Sequence, residues 1–97
     1  MNRIVLGAVL ALAGALAADP AAALDRRVAV TGVGSGDMLK LRAGPGTGFR
    51  VIVGLPEGTR LINEGCARVG GTPWCEVRLA EARQLRGYVS GHYLRDE

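Results

Sequence analysis

Between Arg26 and Glu97 the apolar positions fall into short alternating runs, each ended by a cluster of glycine, proline or aspartate. Alternation of this kind marks a half-buried strand, and the clusters mark turns. Arg26-Arg27-Val28-Ala29-Val30-Thr31 reads as a first strand, broken by Gly32, Gly34, Ser35, Gly36 and Asp37. Met38-Leu39-Lys40-Leu41-Arg42 follows, with Leu39 and Leu41 on a core face and Lys40 and Arg42 on the opposite one. Ala43 to Gly48 is a loop, since Pro45 removes a donor and three glycines favour disorder of the unfolded chain. Val51 to Leu55 is the next strand, and Leu55-Pro56-Glu57-Gly58 fits a type I turn with proline at its second position and glycine at its fourth.

The hairpin that follows is the most sharply specified element. Gly70-Gly71 suits the two central positions of a tight turn, where positive φ is wanted. Pairing then runs outward as 69 with 72, 68 with 73, 67 with 74, and Cys66 with Cys75. In this register 66:75 is a non-hydrogen-bonded pair, at a Cα separation a disulfide can span. Ile62, Cys66, Cys75, Val77 and Leu79 are expected on one face of the Arg60–Cys66 and Trp74–Leu79 strands, with Trp74, Glu76 and Arg78 on the other. Ala80 to Arg86 has helical propensity but lacks the length for a helix, and reads as a loop tip. Gly87 to Ser90 is a short strand, and Gly91 to Arg95 can hold one helical turn before a terminal strand. The whole is an all-β pattern of short strands closing a small barrel.

The N-terminus bears on whether the thiols oxidise. Met1-Asn2-Arg3 precedes an unbroken apolar run from Ile4 to Ala18, then Asp19-Pro20 and Ala21-Ala22-Ala23. That order fits a signal peptide, residues 1–23, cleaved before Leu24, with cleavage after Ala17 as the alternative. The run is shorter than the roughly 20 residues of a membrane span, and no cysteine follows it for lipid attachment. Residues 24–97 are then one exported domain, periplasmic or secreted, with no stable membrane insertion after cleavage, and a monomer is expected. In so small a domain the disulfide matters, since a ten-residue loop contributes about 2.7 kcal/mol by chain entropy.

The net charge is +3, and removing one Arg and one Asp with the leader leaves it unchanged. The charges are scattered, which argues against nucleic-acid binding. The loop from Ala43 to Gly48 is not a phosphate loop, because Phe49-Arg50 and a β-branched run follow it instead of Lys-Ser/Thr and a helix. His92 is the single histidine, which provides neither a metal cluster nor an acid/base pair, so no metal site, cofactor or catalysis is expected. The cysteine spacing is not C-x-x-C, so a structural bridge is expected.

Leu39 to Ile52, with its Leu-Lys-Leu-Arg-Ala-Gly-Pro-Gly-Thr-Gly run, then Leu55-Pro56-Glu57-Gly58-Thr59, Trp74-Cys75-Glu76-Val77 and Gly87-Tyr88-Val89-Ser90-Gly91-His92-Tyr93-Leu94 together resemble the bacterial SH3-like domain family. The resemblance covers nearly all of residues 24–97. It implies a small SH3-like barrel of five to seven strands with one 3-10 turn near the C-terminus. It further implies a non-catalytic exported module that binds peptidoglycan or a cell-wall-associated protein. The alternative is a protein-interaction or inhibitor domain that acts on an envelope partner without wall binding.

Eukaryotic domains of this fold bind proline-rich helices in an aromatic groove. Trp74 resembles the groove tryptophan and Tyr93 the tyrosine of the closing turn. Ser90 stands where a groove proline would be, and the tyrosine-rich first loop is replaced by Ala43 to Gly48, so a proline-rich ligand is not expected. The candidate ligand surface is Trp74 with Tyr93 and Phe49, edged by Arg42 or Arg50. Aromatics beside arginines suit sugars and carboxylates. Phe49 and Tyr88 are expected first as interior fillers, because the chain has so few aromatic rings.

Overall fold

A computed structural model describes residues 26–97. The signal-peptide reading lies outside these residues. Seven strands form one antiparallel sheet: β1 (Arg26–Val30), β2 (Met38–Arg42), β3 (Val51–Pro56), β4 (Arg60–Val69), β5 (Thr72–Leu79), β6 (Ala82–Ser90) and β7 (Leu94–Asp96). A single 3-10 turn, Gly91–Tyr93, precedes β7. The spatial order is β3-β2-β6-β5-β4-β1-β7, and the sheet curls into a half-barrel. The all-β architecture is the one expected from the strand pattern, and the seven strands and single 3-10 turn near the C-terminus match the small SH3-like barrel that the resemblance implied.

The alternation of β2 sets the inside of the curl. Leu39 and Leu41 are buried while Met38 and Lys40 are exposed. With Val28, Val30, Leu55, Leu61, Val77, Val89 and Cys75 they make the core cluster. Among its members there is no aromatic ring, which corrects the expectation that Phe49 and Tyr88 fill the interior. Phe49 is 49% exposed, and Tyr88 is half-buried on the outer face, opposite Arg42 and Glu76. The core is filled by short aliphatic side chains and Cys75.

The hairpin of β4 and β5 has the register read from the sequence, from Val69 with Thr72 down to Cys66 with Cys75. Gly70 (φ 61°) and Gly71 (φ 88°) supply the two left-handed positions of a type I′ turn. The disulfide between Cys66 and Cys75 is formed, with a Cα separation of 3.9 Å.

Below the staple the sequence reading fails by one residue. A β-bulge lies between Asn63, opposite Val77, and Gly65, opposite Glu76. The Asn63 side-chain carbonyl accepts the Gly65 N–H at 2.9 Å, and Gly65 takes φ 139°, which favours glycine. Glu64 is the extra residue, and it meets Arg78 Nε at 2.8 Å. An inserted residue reverses the side-chain alternation beyond it. Leu61 and Asn63 therefore oppose Leu79 and Val77, while Ile62 opposes Arg78 on the other face, away from the cysteine face expected for it.

Two turns also differ from expectation. Thr59 donates its N–H to Pro56 O at 3.1 Å and Gly58 has φ 85°. The reversal is thus type II over Pro56–Thr59, one residue later than expected, because glycine is needed at its third position. Ala80-Glu81 forms a two-residue turn and β6 begins at once, so Ala82 to Arg86 is strand where a loop tip was expected. The register passes from Leu79:Ala82 to Arg78:Arg86, so Arg83, Gln84 and Leu85 are extra on β6. Leu85 packs against the core, and tertiary packing overrides a helical propensity too short to act alone.

The sheet edges are β3 and β7. The Pro56–Thr59 turn crosses the end of β1, where Val30 N–H bonds Thr59 O at 2.9 Å and Gly58 N–H bonds Val30 O at 2.8 Å. These bonds bring the turn leaving edge strand β3 onto β1.

Candidate functional site

The outer face of β2, β5 and β6 and the chain around the 3-10 turn enclose a groove of about 430 Å³. Trp74 lines its floor and is 8% exposed. It lies on β5 opposite Ser90 of β6 and outside the core cluster, so its burial comes from the outer face. Tyr93, 39% exposed, and His92 enter from the 3-10 turn. Met38, Lys40 and Arg42, alternating along β2, form the opposite side.

Of the five residues expected at a ligand surface, the structure brings Trp74, Tyr93 and Arg42 to the groove. Phe49 and Arg50 are exposed and do not line it. The Phe49 ring instead folds over Gly44, where an added Cβ would collide with it. Arg42 is also a brace: its Nη1 donates to Thr47 O at 3.1 Å and to Phe49 O at 2.9 Å, which holds the β2–β3 loop.

The β1–β2 loop forms one end of the groove through Gly32, Val33 and Asp37. Its shape is set by a residue the sequence does not reveal as part of the site. Glu57, in the type II turn, accepts the backbone N–H of Val33 on Oε1 and of Gly32 on Oε2. Desolvation pushes the Glu57 carboxyl up, but hydrogen bonds from the N–H groups of Gly32, Val33 and Gly34 and from the Thr31 side chain outweigh it and hold the carboxyl below its ordinary value. Thr31 N–H also donates to Tyr93 O at 2.8 Å, and an added Cβ on Gly32 would sit 3.7 Å from the Tyr93 ring. Loop, turn and 3-10 segment thus form one connected rim.

Lys40 and Met38 share the β2 face of Arg42, so parity alone could have added them to the candidate set. Thr47, Thr72 and Ser90 supply hydroxyls. The groove therefore offers aromatic surface, several donors and two cations, the equipment for holding a polar ligand against a ring. Among the described residues no group of three or more His, Cys, Asp or Glu is placed to hold a metal ion, and no helix is long and apolar enough to cross a membrane. No family model matches the chain, and neither a curated protein nor a solved structure does.

Proposed function

We propose that the chain is a non-catalytic, exported binding module of the cell envelope that recognises peptidoglycan or a cell-wall-associated protein. The observation that carries this reading is the groove itself, about 430 Å³ in volume, floored by Trp74 and flanked by Tyr93, Lys40 and Arg42. Its size suits a small ligand or one segment of a polymer. The disulfide fits an oxidising compartment, the leader pattern of residues 1–23 supplies the route to it, and the resemblance to bacterial SH3-like domains supplies the ligand class.

Co-sedimentation with purified sacculi tests the proposal. Retention of the exported protein, reduced by Tyr93→Ala, is the expected result. Tyr93 is the better probe because its ring is exposed, whereas truncating the buried Trp74 also empties packed volume. No retention, together with capture of a stoichiometric protein partner, would replace wall binding with the protein-interaction reading.

A further inference from the structure

We infer that the groove selects its ligand through a carboxylate, specifically the free carboxyl end of a peptide whose terminal side chain is apolar. This inference rests on the groove being the binding site and adds the chemistry it reads.

Of the lining side chains that only donate or only accept, Trp74, Lys40 and Arg42 donate and Asp37 accepts. Among the described residues the indole N–H of Trp74 has no hydrogen-bond partner, and it is not among the polar atoms sealed from solvent. It is a donor open to solvent on a residue that lines the groove. Lys40 lines the groove with an exposed side chain and no ion-pair partner among the described residues. Arg42 commits Nη1 to Thr47 O and Phe49 O, which leaves Nε and Nη2 for a ligand. Among the described residues Asp37 is the one acidic residue lining the groove, and its Oδ1 already accepts the Met38 N–H at 2.8 Å. Two cations thus line the groove against one partly engaged carboxylate, so the site favours an anion that accepts several hydrogen bonds. A carboxylate does this well, in the charge-assisted geometry that arginine and lysine favour.

The apolar surface separates two sources of carboxylate. Met38, 51% exposed, and Val33 line the groove with the donors, and the rings of Trp74 and Tyr93 adjoin them. A peptide end places an apolar side chain one carbon from its carboxylate and so covers this surface. A sugar acid surrounds its carboxylate with hydroxyls.

Trp74 is the only tryptophan in the chain, so its fluorescence reports on this groove alone. The test titrates the exported protein with N-acetyl-alanyl-leucine, with the same dipeptide as its C-terminal amide, and with glucuronic acid. The free acid should shift the emission saturably and bind about tenfold or more tighter than the amide, with glucuronic acid weaker than the dipeptide acid. Lys40→Met, an exposed change that keeps an unbranched side chain, should weaken the free acid by about tenfold and leave the amide unchanged. Equal binding of acid and amide, no response to either, or a preference for glucuronic acid would each overturn the inference. Acid-selective binding without retention on sacculi would sustain it and overturn wall recognition, whereas retention with no acid preference would do the reverse.

Discussion

Glu57 Oε1 accepts the backbone N–H of Val33 at 3.0 Å, joining the turn after β3 to the loop after β1 across 24 residues of chain. This bond shapes one end of the groove with a residue that does not line it.

Because the folded carboxyl of Glu57 is held below its ordinary value of 4.5, its contribution to stability is complete above that value. It is lost as pH falls through the lower folded value. Thermal melts of the native protein and Glu57→Gln should therefore differ most near neutral pH and converge in acid. A difference that persists unchanged below the folded carboxyl's titration would contradict this linkage.

The type I′ turn discriminates between its two glycines and their replacements. An added Cβ meets nothing within 4 Å at Gly70 or Gly71, so the cost of substitution is backbone conformation alone. Gly71→Ala should destabilise by roughly 1–2 kcal/mol, while Gly70→Asn, a residue that tolerates the left-handed region, should change stability by less than about 0.5 kcal/mol. Urea unfolding of both variants checks the contrast.

Gly87 is constrained by space. A Cβ there would lie 2.5 Å from Arg42 O and 3.0 Å from Leu41 Cγ, beside Arg42:Tyr88, the pair that registers β2 against β6. The backbone carbonyl cannot swing aside as a side chain would. Gly87→Ala should cost about 1–3 kcal/mol and lower the unfolding midpoint without changing the disulfide. Equal stability would show that the pairing of β2 with β6 can relax.

Reduction should also lower the melting temperature, because the Cys66–Cys75 bond closes the β4–β5 hairpin. Chain entropy puts the loss at about 2.7 kcal/mol. Thiol titration of the denatured protein should find no free cysteine, and two reactive thiols would refute the pairing.

Local chemistry made the β4–β5 hairpin legible in the sequence alone. Gly70-Gly71 dictates a two-residue turn, and counting outward from it pairs Cys66 with Cys75 and puts Trp74 on the face away from the staple. The alternation of β2 likewise separates Leu39 and Leu41 from Lys40 and Arg42. Both follow from short-range rules, the turn's φ values and the two-residue period of a strand. The face of Ile62 depended on the Glu64 bulge, whose Asn63–Gly65 bond is local but whose effect appears only when β4 is laid against β5. Phe49 and Tyr88 lie outside the core, which residues from six of the seven strands fill with aliphatic side chains and Cys75, a selection that strand parity alone does not make. The groove needed the most tertiary information. Strand parity placed Arg42 and Trp74 on outward faces, but only the packing of distant segments brought them together with Tyr93, left Phe49 and Arg50 aside, and put Glu57 behind the rim.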